Sequence, residues 1–122
     1  MNGKQPLRAR LRPGGVDPDR IDREAATKKQ CRWHLYLSGS VQHVGLRYTA
    51  LYLCRDLGLT GWVKNLPDGR VEVEVQGDVS GLRRFYVALK SQPHIHIVQA
   101  DIREIPVRPG ERGFSVSRWE ND

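Results

Sequence analysis

A β-hairpin is the feature that most constrains how this chain of 122 residues folds. One strand is predicted over 59–66 and its partner over 70–76, with Pro67-Asp68-Gly69 between them. These three residue types are typical of a tight turn. In the second strand valine alternates with glutamate, at Val71, Glu72, Val73, Glu74 and Val75. Such alternation predicts one face toward a core and the other toward water.

The segment before the hairpin predicts a strand followed by a helix. Trp33, Leu35 and Leu37 alternate with more polar residues, and this strand ends at Gly39-Ser40. From Leu46 to Leu57 apolar residues recur at helical spacing. Gly58 then stands where a helix commonly ends in a left-handed residue.

A second helix and two more strands are predicted after the hairpin. Asp78 or Ser80 can cap a helix that runs to about Ser91, and its buried stripe consists of Leu82, Phe85, Tyr86 and Leu89. A fourth strand is expected up to Ile105, and a short last one near Phe114, Val116 and Trp119. The order of elements predicts an α+β, ferredoxin-like split βαβ sandwich (βαββαβ), whose mixed antiparallel sheet carries both helices on one face.

Residues 1–30 differ in composition from the rest of the chain. They show no sustained apolar periodicity and carry eight Lys/Arg against four Asp/Glu, whereas residues 31–122 carry twelve against ten. We expect a flexible, charged N-terminal extension over 1–30 and a single folded domain over 31–122. A transit peptide and a nucleic-acid-binding arm are weaker interpretations of the extension, because four acidic residues follow its basic start.

The cysteines and the hydropathy pattern indicate the cellular compartment in which the protein works. Cys31 and Cys54 lack the spacing of a zinc site, so we interpret them as free thiols in a reducing cytosol. No stretch reaches the roughly 18 apolar residues of a membrane span, and the N-terminus lacks the apolar core of a secretory signal. We expect a cytoplasmic monomer with no membrane partner.

The segment from Gly39 to Arg47 joins the first strand to the first helix and is the candidate binding loop. Backbone N–H groups that converge at a helix N-terminus favour an anion. Arg47 lies in the first turn of that helix, where the helix dipole disfavours a cation, and a bound anion would account for its position. A guanidinium fits a phosphoryl group bidentately, although an ordinary exposed arginine would give the same pattern.

Two segments together resemble a known family. They are Gly39-Ser40-Val41-Gln42-His43-Val44-Gly45-Leu46-Arg47 and Gly61-Trp62-Val63-Lys64-Asn65-Leu66-Pro67-Asp68-Gly69-Arg70-Val71. Their sequences, order and separation are similar to the two signatures of the acylphosphatase family. The resemblance extends from about Arg32 to Trp119.

The resemblance implies a small hydrolase that cleaves the carboxyl–phosphate bond of acyl phosphates without a metal or another cofactor. Arg47 is then expected to bind the phosphoryl group and Asn65 to orient the attacking water. The expected phosphate-binding residues are Val41, Gln42, His43, Val44, Gly45, Leu46 and Arg47. The implied partners are a small acyl phosphate and inorganic phosphate, as product or inhibitor.

Two residues depart from the family pattern. His43 stands where a glycine is usual, and Leu46 stands where an aromatic residue or methionine is frequent. If position 43 requires a positive φ, a histidine there strains the loop by roughly 1 kcal/mol. An alternative function is therefore a non-catalytic module that binds phosphate or an acyl phosphate and has lost turnover through His43. A protonated His43 could instead add a cationic donor.

Other patterns predict no additional chemistry. His94 and His96 share a strand face, as metal ligands can, but a solvated face is the favoured interpretation and no metal site is predicted. Three tryptophans are interpreted as packing residues and not as a stacking platform. Nucleic acid is not an expected partner, because Glu72 and Glu74 occupy the strand where a ferredoxin-like RNA-binding domain needs aromatic residues.

Overall fold

A computed structural model describes residues 15–18 and 30–117. The elements follow in the order β1 (Cys31–Ser40), α1 (Leu46–Leu57), β2 (Thr60–Asn65), β3 (Val71–Gly77), α2 (Val79–Lys90), β4 (His96–Ile105) and β5 (Phe114–Val116). The predicted order of strands and helices is confirmed, including the short last strand. Trp119, which was expected to extend that strand, lies outside the described residues.

The five strands form one mixed sheet with the order β4-β1-β3-β2-β5. The β1–β3, β1–β4 and β2–β3 pairs are antiparallel, whereas β5 lies parallel to β2. Alternate residues of β1 and β3 are fully buried and form the core with the apolar faces of both helices. The predicted α+β architecture, with both helices on one face, is therefore confirmed.

Local signals explain where the helices begin and end. Helix α1 ends at Gly58, whose φ of 69° is left-handed, as the sequence predicts. Helix α2 begins after Asp78, and the Asp78 carboxylate accepts a hydrogen bond of 2.5 Å from the Gly81 N–H. Of the two predicted caps, Asp78 is the one that the structure uses.

Strand β1 contains an irregularity just before it leaves the sheet. Its register with β4 shifts between Ser38 and Gly39, and Gly39 has a φ of 123°. A Cβ atom at this position would lie 2.2 Å from the His96 carbonyl oxygen. Only glycine allows β4 to approach β1 here while the chain bends into the next loop.

Part of the predicted extension contacts the domain. The Val16 N–H donates to the Ile102 carbonyl oxygen at 2.8 Å, and Gly15 forms an isolated bridge with Arg103 on the outer edge of β4. Arg83 of α2 donates to the Pro18 carbonyl at 3.0 Å. Gly15–Pro18 is thus docked on the domain, while the remaining part of the predicted flexible extension lies outside the described residues, apart from Gln30.

The described helices include none that is long and apolar enough to cross a membrane.

A buried arginine connects β1 to the segment before β5. Arg32 is 1% exposed, and its guanidinium bonds to carboxylates of Glu74 at 2.8 Å and Glu111 at 2.7 and 3.1 Å. It also donates to the Gln76 side-chain oxygen at 3.1 Å. Because a buried charge is costly unless it is paired, these acceptors make the position of Arg32 tolerable. The network fixes the 106–113 loop beside the sheet.

The same network changes the ionisation of Glu111. Burial alone would raise the pKa of its carboxyl, but hydrogen bonds from Arg32 and Thr60 and the charges of Arg32 and Arg108 outweigh burial and hold the pKa below its ordinary value of 4.5. A carboxylate whose pKa is lowered on folding stabilises the fold above its unfolded pKa. This stabilisation is lost as the pH falls through the folded pKa.

Replacing Glu111 with glutamine should therefore destabilise the domain in a pH-dependent way. Glu111→Gln is expected to lower the free energy of unfolding by about 2 kcal/mol at pH 7, because Arg32 loses a charged acceptor. The difference from wild type should shrink as the pH falls below 4.5. Urea unfolding at several pH values measures this. The control Asp56→Asn removes an exposed carboxylate and should stay within about 0.5 kcal/mol of wild type. An equal loss of stability in both variants would contradict the role of the Glu111–Arg32 ion pair.

Candidate active site

The loop between β1 and α1 is anchored in the core at both of its ends. Val41 and Leu46 are each 1% exposed, and Val44 packs against the core between them. The apolar side chains of the loop thus point inward. Any ligand on the loop must meet its backbone amides and the side chains of its other residues.

The N-terminus of α1 has no capping side chain and no acidic residue in its first turn. The residue before the helix, Gly45, has a φ of 82°. The first described backbone bond of this turn runs from Thr49 N–H to the Gly45 carbonyl at 3.0 Å. The preceding N–H groups and the positive end of the helix dipole are therefore suited to an anion.

His43 is strained within this loop. Its φ of 62° is the only positive φ of a non-glycine residue among the described positions. Position 43 thus has the left-handed backbone that glycine adopts at no steric cost, which is a condition under which a histidine there strains the loop. The histidine side chain is exposed, so the loop keeps this backbone conformation with the imidazole directed away from the core.

Arg47 lies in the first turn of α1 and is half-buried. Its guanidinium donates to the backbone carbonyl of Ser117, just after β5. The Ser117 N–H in turn donates to the Val63 carbonyl of β2 at 2.9 Å. Ser117, just after β5, thus connects Arg47 to the strand that carries Asn65.

Gln42 connects the loop to the turn between β2 and β3. Its side-chain amide donates to the carbonyl oxygens of Leu66 at 2.8 Å and Arg70 at 2.9 Å. Asn65 is 4% exposed and comes immediately before Leu66, at the end of β2. On β2 it shares the inward face with Val63, the face that packs against the helices. Ser117 bonds to Val63 and Gln42 bonds to Leu66, on either side of Asn65 in the sequence. These contacts bring the loop, Arg47 and Asn65 to one end of the sheet.

The predicted site residues fall into two groups, those with a polar side chain near the loop and those that can bind a ligand only through the backbone. The guanidinium of Arg47 and the amide of Asn65 are polar groups near the loop, whereas Val41, Val44 and Leu46 have only backbone groups to offer. The Gln42 side chain is engaged with the hairpin. The carbonyl of Ser117 is a site feature that the sequence analysis missed, since a backbone acceptor leaves no sequence signal.

The other candidate residues do not join this site. His94 and His96 are both exposed, beside and at the start of β4, as a solvated face requires. Within residues 15–18 and 30–117 no group of three metal-ligating side chains occurs. Trp33 is buried in the core, and Trp62 is half-buried with the Lys64 ammonium 5.8 Å from its ring centre.

Comparison with known proteins gives a consistent result. The family model "Acylphosphatase" matches residues 33–116. The chain is 40% identical over 90 residues to an acylphosphatase of Trichormus variabilis, covering 74% of this chain and 89% of the relative. It is 43% identical over 77 residues to one of Archaeoglobus fulgidus, covering 63% and 82%. The crystal structure of acylphosphatase from Bacillus subtilis matches with a TM-score of 0.67 and 32% identity, covering 71% and 98%.

Replacing His43 with glycine should relieve the strain in the loop. His43→Gly is expected to raise the free energy of unfolding by about 1 kcal/mol, since glycine adopts the left-handed region freely. His43→Ala is the matched control, because it removes the imidazole but keeps the Cβ atom, and it should bring no comparable gain. Urea unfolding measures both variants. Equal stability of the two would mean that the positive φ at position 43 carries no strain.

Removing the Gln42 side chain should loosen the connection between loop and hairpin. Gln42→Ala loses two hydrogen bonds and is expected to cost about 1–3 kcal/mol in the free energy of unfolding. Gln92→Ala is the control, because its amide makes one bond of 3.1 Å within the end of α2. Amide chemical shifts of Asn65 and Leu66 should move in the first variant alone. Unchanged shifts there would contradict the contact.

Proposed function

The chain belongs to the acylphosphatase family, and we propose that it hydrolyses small acyl phosphates with Arg47 and the amides of residues 41–47 binding the phosphoryl group and Asn65 orienting the attacking water. The observation that carries this proposal is the uncapped N-terminus of α1, with an arginine and no acidic residue in its first turn. A cation at this position opposes the helix dipole unless an anion binds between them.

The charges around the loop support phosphoryl binding. A guanidinium carries five N–H donors, and the Ser117 carbonyl accepts from Arg47 through Nη1, so further donors are available to a phosphoryl group. Fixing the guanidinium on a backbone carbonyl orients it without neutralising its charge. Binding therefore costs little ordering of this side chain.

Asn65 has the chemistry needed to orient water. Its carbonyl oxygen accepts one hydrogen bond from a water molecule, and its NH2 group donates to another partner, so a water lone pair can be directed at phosphorus. Burial at the end of β2 restricts the Asn65 side chain, and the bonds of Gln42 to the carbonyls of Leu66 and Arg70 hold the turn that follows it.

The reaction needs positioning more than a strong base. Water oxygen bonds to phosphorus while the bond from phosphorus to the acyl oxygen breaks, and the products are a carboxylate and inorganic phosphate. The proton of the attacking water passes to a phosphoryl oxygen of the substrate. Charge spreads over the phosphoryl oxygens in the transition state, where the loop amides and Arg47 stabilise it.

His43 raises the alternative of a module that binds phosphate without turnover. Its φ of 62° lies in the left-handed region, which glycine adopts freely. Because the histidine is compatible with a loop conformation that suits glycine, we favour catalysis. The alternative requires phosphate binding without hydrolysis, with turnover restored in His43→Gly.

We further propose that residues 31–122 are sufficient for activity in a cytoplasmic monomer. Arg47, Asn65 and Ser117 lie on one chain, which is compatible with a monomer that carries its own site. Both cysteines are buried and neither forms a disulfide, which fits a reducing compartment. Nucleic acid has no role in this proposal.

Replacing the two polar residues of the site should separate binding from water positioning. With acetyl phosphate as substrate and EDTA present, Arg47→Ala and Asn65→Ala are each expected to lower kcat/KM about 100-fold or more. Inorganic phosphate should inhibit the wild type competitively. Its inhibition constant should rise strongly in Arg47→Ala and change little in Asn65→Ala.

Arg55→Ala is the matched control, since it removes an exposed arginine from the same helix. It should keep wild-type kinetics. Full activity in either site variant, or an equal loss in the control, would reject the proposed roles.

A further inference from the structure

A cavity of about 640 Å³ lies on the sheet face opposite both helices. It is lined by His34, Tyr36, Ser38, Arg70, Gln99, Asp101 and Arg103. None of these residues belongs to the loop at 41–47. Its volume is in the range of pockets that hold small molecules, which is about 300–1,000 Å³. The roles proposed for acyl phosphate hydrolysis involve none of the side chains that line this cavity.

Cross-strand pairing builds the floor of the cavity. Tyr36 of β1 lies between Glu72 of β3 and Asp101 of β4, and His34 lies opposite Arg103. Side chains of these positions point away from the helices because β1 alternates in burial. Tyr36 therefore occupies the middle of the floor.

The floor is held rigid by contacts among its own side chains. The Arg70 guanidinium lies 4.5 Å from the Tyr36 ring centre, and the His34 ring meets Tyr36 edge-on with its centre 4.5 Å away. His34 Nε2 is 2.7 Å from a Glu72 carboxylate oxygen. Burial and the Glu72 charge raise the pKa of Tyr36, so its phenol remains protonated at neutral pH. A preorganised floor reduces the ordering cost of binding.

The groups of the lining that can bind an anion are its two arginines. The seven lining residues include Arg70, Arg103 and Asp101, and the carboxylates of Asp68 and Glu72 lie beside Arg70 and His34. Arg70 pairs at 2.8 Å with Asp68, and both side chains are about half exposed, at 41% and 54%. Arg103 Nε lies 3.9 Å from Asp101, at the outer limit of an ion pair. The exposed Arg70–Asp68 pair contributes little to stability, so a ligand oxyanion can replace the Asp68 carboxylate beside Arg70. The Asp101 side chain is only 20% exposed and stays in place, while the 43% exposed guanidinium of Arg103 has further N–H groups for a ligand.

We propose that this cavity is a second ligand site, separate from the loop at 41–47, which binds a small molecule carrying carboxylate or phosphate groups through Arg70 and Arg103. Tyr36 forms the floor beneath the ligand, and Ser38 and Gln99 supply neutral hydrogen-bonding groups at its edge. The site does not depend on the roles proposed for Arg47 and Asn65.

Titration of the full chain with citrate and, separately, with inorganic phosphate tests the site at low ionic strength. Amide chemical shifts of 34–38 and 99–103 should move and saturate with at least one of these probes. The probe with the lower dissociation constant identifies the preferred group. Arg103→Gln should weaken this binding about tenfold or more, because a charge-assisted contact is lost. Arg103→Gln should leave acetyl phosphate hydrolysis unchanged.

Arg84→Gln is the matched control, since it removes the same charge from an exposed position on α2 at the opposite face of the sheet. It should bind the probes like wild type. Arg47→Gln distinguishes the two sites, because it should abolish the phosphate response of 41–47 while the cavity response persists. The proposal is overturned if neither probe gives saturable shifts around the cavity, or if Arg103→Gln and Arg84→Gln weaken binding equally.

Discussion

Strand β1 lies inside the sheet and runs directly into the loop at 41–47, so the hydrogen bonds that pair it with β3 and β4 also fix where the loop begins. Gly39 permits the exit, because no side chain fits between it and the His96 carbonyl. Val41 and Leu46 then return the chain to the core. A loop anchored in this way presents its amides in one arrangement before any ligand arrives.

The candidate site is assembled from three distant parts of the chain, and backbone carbonyls join them. Gln42 donates to Leu66 and Arg70, and Arg47 donates to Ser117. None of these bonds is an ion pair, because each acceptor is a neutral backbone carbonyl. Among residues 15–18 and 30–117 no carboxylate pairs with Arg47 and no side chain caps this helix end, so both are available to an anion. The one cost visible in the loop is the left-handed backbone of His43.

The fold was largely predictable because its signals are local. Apolar spacing and Gly58 mark both ends of α1, and the Pro67-Asp68-Gly69 turn marks the hairpin. Arg47 had a physical argument from its place at a helix start, whereas Asn65 depended on the family resemblance, since an asparagine near a turn is ordinary. The connections made by Gln42 and Ser117 and the buried network of Arg32 depend on tertiary contacts between residues remote in sequence, which no local pattern encodes.

The docked segment Gly15–Pro18 has a consequence for how copies of this protein behave in concentrated solution. Strand β4 is an edge strand, and its unpaired backbone groups could extend the sheet into another molecule. The hydrogen bond from Val16 to Ile102 occupies part of that edge. Toward the start of β4, Val98 remains 73% exposed. Gly15–Pro18 therefore occupies backbone groups of β4 with which a strand of another molecule could otherwise pair.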